Sequence, residues 1–393
     1  MSRSSKRLIA LVMLLAIGLA GAIMMLLANI PVTGWLLATQ ADFSQDTNLR
    51  ARVNLPPGYA INIYATGVED ARFMQVMSNG DLLVTSKDPG KLVLVKRDDD
   101  GDGRSDGVAV LASGLTFPHG IWLDGKTLYI GEENAIASFP YDAAKRTLGA
   151  KTIALAGLPD DDGHYTRTIK KGPDGWFYVS IGSSCNACIE QHPWRAAMIR
   201  FKPGAGAPEV HATGLRNTVG FDWHPATGAL YGADIGRDRL GDELPPEELN
   251  LITRGGFYGW PFFHGDNEPD PDHGKDAQAR NLHPLPPAHT FRAHVTPLSI
   301  TFLRHQAGTP LEGAALVAQH GSWNRSEKIG YRVISLHWDA NGAITQKPFA
   351  EGFLKNGDVI GRPVDIVETA DGTLYISDDH AGAIYRVTFN PGD

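Results

Sequence analysis

Cysteine is almost missing from this chain: Cys185 and Cys188 are the only two in 393 residues. That scarcity excludes a disulfide-dense scaffold. No second CxxC exists and no histidine directly follows Cys188, so structural zinc and c-type haem attachment are both poorly supported. The stretch GSSCNACIE can close a small disulfide loop or carry free thiols, and export from the cytosol favours the disulfide. A long basic run is missing as well. Lys and Arg number 36 against 44 Asp and Glu, a net charge of −8, which leaves no electrostatic footprint for a nucleic-acid backbone. Small molecules or protein partners remain. Long amphipathic helical periods are the third absence, while 44 Gly and 25 Pro point to a turn-rich β protein.

One apolar run is present, at the N-terminus. Arg3, Lys6 and Arg7 precede an uncharged stretch from Leu8 to Ala28, long enough for a helix to cross a hydrocarbon core and longer than most cleaved signal h-regions. Residues 1–32 are therefore expected to be an anchor with the N-terminus in the cytoplasm. Cleavage near Ala38 or Ala41 is the alternative. The body of the protein is then placed at the periplasmic side of a bacterial inner membrane, with 33–49 as linker and 50–393 as the folded domain.

A short pattern recurs through that domain: a Gly-containing turn followed by alternating apolar residues. It reads SNGDLLVTS, LDGKTLYIG, PDGWFYVSIG, ATGALYGAD, LEGAALVAQ and ADGTLYISD, with glycines at 80, 125, 175, 228, 313 and 372. Each is a hairpin signal. Six copies at this spacing predict an all-β fold, a six-bladed β-propeller of four-stranded antiparallel blades. The segment LPPGYAINIYATG before the first copy can supply the strand that closes the ring beside the last blade. The longest interval holds a Pro-, Asp- and His-rich insertion at 262–291, the kind of loop that serves as a lid or mobile surface segment.

Polar residues flanking these hairpins are the candidates for chemistry, because a propeller gathers its loops at the axis. His164 follows Asp160, Asp161 and Asp162; on the residues alone it is a solvated loop histidine or a group poised to titrate near neutrality. Arg216 and Asn217 precede the fourth hairpin and can donate to a carbonyl or carboxylate. Arg325, Lys328 and Arg362 suit a ligand with several carboxylates, or serve as partners for neighbouring acids. Asp238, Asp242, Glu243, Glu247 and Glu248 surround Pro245 and Pro246 in a loop that could hold a hard cation. The stretch KRDDDGDGRSDGV, 96–108, starts like an EF-hand loop but has Ala109 at the twelfth position, so it reads as an Asp-rich blade-edge turn.

The ordered set GHYTRTIKKGPDG, GLRNTVGFDWHP, DELPPEELNLI, GGFYGWP, GSWNR and GRPVDI resembles the soluble quinoprotein sugar dehydrogenases, the group with soluble glucose dehydrogenase, aldose sugar dehydrogenase and L-sorbosone dehydrogenase-like proteins. The resemblance spans about residues 50–390. It implies a propeller that binds pyrroloquinoline quinone (PQQ) and calcium and oxidises an aldose or a sorbosone-like aldehyde by hydride transfer to the quinone. It also implies a sugar as substrate and a quinone or other electron acceptor as partner. His164 aligns with the general base, and Arg216 and Asn217 with the Arg-Asn pair at the cofactor. Arg325 and Arg362 match positions that hold cofactor carboxylates, His119 and Trp323 positions near the substrate, and Gly241 and Asp242 the calcium loop. Where soluble glucose dehydrogenases place an aspartate beside the histidine, this chain has Ser183, which leaves the partner of His164 open. Two other readings stand beside this one, a calcium-dependent lactonase on a similar propeller and a non-catalytic binding propeller. Three converging arginines favour the tricarboxylate cofactor over the lactonase.

Overall fold

The computed structural model describes residues 46–391. The expected membrane segment 1–32 and all but the end of the linker lie outside the described residues; among those described, no helix is long and apolar enough to cross a membrane.

Six antiparallel sheets follow one another along the chain, each beginning at the axis and stepping outward. Their innermost strands are Ala71–Val76, Ile121–Asp124, Arg167–Lys171, Thr218–Trp223, Pro297–Phe302 and Pro363–Glu368, and each touches the next around a closed ring. We number the blades I to VI in that order. The last blade is completed by the first strand: Tyr59–Thr66 pairs antiparallel with Ala383–Phe389, Ile61 opposite Val387. This is the six-bladed propeller expected from the repeats, and its six turn glycines explain why the pattern was visible. Each joins an inner strand to its neighbour in a left-handed conformation, with φ between 61° at Gly125 and 88° at Gly80, which glycine adopts without steric cost.

Alternation within the strands builds the core. Phe73, Ile121, Val219, Leu298 and Val364, from the inner strands of five blades, meet in one apolar cluster that plugs the axial channel. The channel is thereby divided into two cavities. The lower, of about 340 Å³, is lined by Phe73, Ile121, Lys170, Asp222, Arg304, Asp365 and Glu368 among others. The upper one, at the N-terminal ends of the inner strands, is the candidate site.

Three irregular segments have places in this frame. The Asp-rich stretch links the third and fourth strands of blade I, Lys91–Val95 and Val108–Ser113. The insertion interrupts blade IV: it forms a two-stranded hairpin, Phe263–His264 with Glu268–Pro269, and a short helix, Gly274–Ala279, before His289–Phe291 returns as the blade's outer strand. Finally, the turn of helix Asp46–Arg50 packs on the propeller through buried Leu49 and through the Asp46 carboxylate, which accepts from the Ile63 amide at 2.7 Å.

Candidate active site

The upper cavity holds about 420 Å³, and its wall brings together His164, Arg216, Asn217, Trp323 and Arg362. Five residues scattered over four sequence motifs thus converge, because each sits where a blade's strands end at the axis. Arg72, Lys87, Tyr165, Asp238, Glu247, His294, Thr296, His320 and Asp379 complete the polar part of the wall, and Val219 and Leu298 form its apolar floor.

His164 is held by backbone. Its Nδ1 lies 3.0 Å from the Ser183 carbonyl and 3.1 Å from the Ser183 hydroxyl, and that hydroxyl donates to the Cys185 carbonyl at 2.6 Å. A carbonyl only accepts, so Nδ1 carries the hydrogen and Nε2 presents its lone pair. Ser183 therefore does through its main chain what the expected aspartate would do through a side chain. Burial, followed by the Arg216, Arg195 and Arg167 cations, pushes the imidazole down to about 3, so it is neutral and able to accept a proton. Gly182 makes room for this: a Cβ there would come within 2.6 Å of both His164 Cβ and Asn217 Oδ1.

Two buried arginines fix the loop from below. Arg167 donates to the carbonyls of His164 at 2.7 Å, Thr166 at 2.9 Å, Pro159 at 2.5 Å and Glu133 at 2.9 Å. Arg195 reaches the same His164 carbonyl at 3.1 Å and the Asp161 carboxylate at 2.6 Å. One of the three aspartates ahead of His164 thus anchors the loop from outside. Burial brings the Arg167 guanidinium down to about 9.

Beside His164, Arg216 is set by the same cysteine loop, whose Ser183 amide donates to the Arg216 carbonyl at 2.8 Å. The Asn186 carbonyl accepts from Arg216 Nε at 3.0 Å, the Asn186 side chain from Nη2 at 2.9 Å, and Asp238 pairs with the same guanidinium at 3.1 Å. A disulfide joins Cys185 to Cys188 and so brackets Asn186. Behind Arg216, burial lifts the Glu247 carboxyl to about 8 even though the Gly236 amide donates to it. Across the cavity Asp379 bridges Arg72 at 2.6 Å and His320 at 2.8 Å. Burial alone would raise that carboxyl, but His320 and Arg72 hold it well below the usual range. Arg362 donates to the carbonyls of His320 and Gly321 at 3.3 and 3.2 Å and makes no ion pair among the described residues.

Four residues expected at the site stand off its wall. His119 is fully buried; Arg72 Nη2 lies 3.4 Å from its Nε2 and Thr168 3.3 Å from its Nδ1, so it buttresses Arg72 and cannot touch a substrate. Arg325 turns to the 241–243 loop, donating to the Asp242 carbonyl and pairing with Glu243 at 2.6 Å. Gly241 gives its carbonyl to His294 at 2.8 Å, and the Asp242 carboxylate is taken by Ser326. An arginine on one carbonyl and an imidazole on the other do not fit a divalent cation held by this pair.

The residues fit a multiply anionic ligand. Four cations, Arg72, Lys87, Arg216 and Arg362, face one cavity; among the described residues Arg362 makes no ion pair, and the buried Asn217 Oδ1 has no hydrogen-bond partner. Arg72, Lys87, His320 and Asp379 escaped the sequence reading, yet they had a signal. Lys87, His320 and Asp379 each directly follow the second strand of their blade, Leu82–Ser86, Ala315–Gln319 and Leu374–Asp378, a fixed offset from the turn glycine.

Residues 53–261 match the TrAA12-like family and residues 199–386 the glucose/sorbosone dehydrogenase family. An uncharacterized protein of Borreliella burgdorferi is 37% identical over 248 residues, covering 61% of this chain and 65% of that one. The pyrroloquinoline quinone-dependent pyranose dehydrogenase of Coprinopsis cinerea is 24% identical over 407 residues, covering 86% and 55%. The chain thus spans just over half to just under two thirds of the length of these relatives. A calcium structure of the Trichoderma reesei family AA12 enzyme superposes with a TM-score of 0.74 at 22% identity, covering 86% of this chain and 97% of the other. With a match across more than half its length, the chain belongs to the TrAA12-like family, and the blades that follow carry the glucose/sorbosone dehydrogenase pattern.

Proposed function

We propose that this protein oxidises an aldose or related sugar with pyrroloquinoline quinone as cofactor. The observation that carries the reading is the upper cavity, where four cations and a neutral histidine with a free Nε2 face the same space. When bound, the quinone supplies a two-electron hydride acceptor. Arg362, Arg72 and Lys87 would hold its carboxylates, and Arg216 would offer a preorganised cation to the negative charge that its reduction develops. His164 Nε2 takes the proton from the sugar hydroxyl as hydride leaves the same carbon, while Ser183 keeps the tautomer fixed. Trp323, 68% exposed at the rim, meets the sugar face. The apolar floor of Val219 and Leu298 keeps the channel closed to water from below.

Calcium comes to this reading from the Trichoderma neighbour, without Gly241 and Asp242 as its ligands. An anchored position outside the cytoplasmic membrane, with a quinone accepting the electrons, rests on the apolar run at Leu8 to Ala28. The test is to load the full chain with the quinone, with and without calcium, and follow dye reduction across a panel of aldoses. Quinone-dependent turnover of at least one sugar is expected; none on any sugar, with no cofactor absorbance retained, overturns the reading. His164→Ala should lower kcat by about 10²–10⁴ and leave quinone binding intact.

A further inference from the structure

Among the described residues only three Phe, Tyr or Trp side chains are exposed, Phe117 at 41%, Tyr165 at 36% and Trp323 at 68%. All three stand at the mouth of the upper cavity. Tyr165 and Trp323 belong to its wall, and Phe117 lies against Tyr165 with ring centroids 5.6 Å apart and planes inclined by 33°. Tyr165 opens blade III and Trp323 belongs to blade V, so blade IV separates the two on the rim.

Phe117 is costly twice over. It leaves an aromatic surface in water, and it does so from a left-handed backbone with φ of 44°, a region that bulky residues rarely occupy. Nothing in its own packing repays either cost. Tyr165, in contrast, is pinned: Lys87 Nζ lies 3.1 Å from its hydroxyl and 4.6 Å from its ring centroid, and is itself tied to Asp88 at 2.9 Å and Asp70 at 3.7 Å. A pair of tilted, partly exposed rings beside an ammonium and carboxylates matches a sugar, whose C–H face stacks on the aromatic surface while its hydroxyls bond the charged groups.

We infer that Phe117 and Tyr165 form a stacking shelf for a second sugar ring, so that the preferred substrate is a disaccharide or longer saccharide oxidised at its reducing end. This rests on the function proposed above. Tyr165 is the residue after His164 and lines the cavity, whereas Phe117 is outside the wall; a ring over Phe117 therefore sits one sugar unit beyond the reacting one. The shelf adds affinity for the distal ring and leaves the chemical step untouched.

The experiment compares kcat/KM of the quinone-loaded full chain for glucose, maltose and cellobiose. Phe117→Ala should lower the disaccharide-to-glucose ratio about fivefold, with the glucose value and the KM of the electron-accepting dye unchanged, and Phe117→Trp should restore the ratio. Phe117→Gly should lose the preference without lowering Tm, because glycine accepts the left-handed backbone. An unchanged ratio overturns the shelf; so does a raised dye KM, which would make Phe117 an acceptor-docking residue. If no sugar is oxidised at all, the functional reading fails, and the shelf is judged by calorimetric binding of maltotriose and cellotriose to the full chain. Binding that Phe117→Ala abolishes then sustains it, and no binding by the unsubstituted chain overturns it.

Discussion

At the scale of single residues the site is built on main-chain acceptors. His164 takes its tautomer from the Ser183 carbonyl, and Arg167 spends its whole guanidinium on carbonyls. Carbonyls carry no side-chain signature, which is why Ser183 looked like a missing partner. His164, Arg216, Asn217, Trp323 and Arg362 were legible because each sits in a stretch of several unusual residues. Arg72 was not, since a lone charge at a strand end resembles any solvated one, whereas Lys87, His320 and Asp379 share a fixed offset from the turn glycine. Arg167 is fully buried and makes no ion pair among the described residues, so its loss strips the Thr166, Pro159 and Glu133 carbonyls of their donor and leaves the His164 carbonyl to Arg195 alone. Arg167→Met should cost about 3 kcal/mol or more in urea unfolding. Arg167→Lys should recover only part, because one ammonium cannot span the four acceptors that a planar fork reaches.

Among the elements, the hairpins announced themselves and the loops did not. A left-handed glycine followed by alternating apolar residues has one physical meaning, and six repetitions made a propeller. The cysteine loop gave its disulfide to sequence reasoning but not its purpose, which depends on Asn186 meeting Arg216 from a different blade. Similarly, the 241–243 loop offered carbonyls and acids, and only the fold shows His294 and Arg325 using them. The bracket around Asn186 yields a separable expectation. Replacing both cysteines by serine should cost about 2 kcal/mol or less, the closed loop being short, yet raise the quinone Kd about tenfold as Arg216 loosens. Cofactor fluorescence titration beside thermal melting would tell the two effects apart.

For the whole molecule, two cavities on one axis are each lined by both acids and cations. In the lower one, burial lifts the Asp365 carboxyl to about 7, while its oxygen accepts from the Met74 amide at 2.9 Å. The folded state therefore holds a proton that the unfolded chain has released, and stability falls as pH rises from about 4 to 7. Asp365→Asn keeps an acceptor for Met74 and removes this term. It should raise the unfolding free energy by up to about 4 kcal/mol at pH 8 and leave it unchanged near pH 4, as denaturant titrations at the two pH values would show. The ring itself is closed by the pairing of Tyr59–Thr66 with Ala383–Phe389, which joins almost the first described residues to almost the last. On the ribosome, that early strand emerges long before its partner has been made and waits with its edge unpaired, the state in which β chains are open to proteases and to one another. A nonsense codon in the last few turns of the message should therefore remove the protein altogether and not merely trim it.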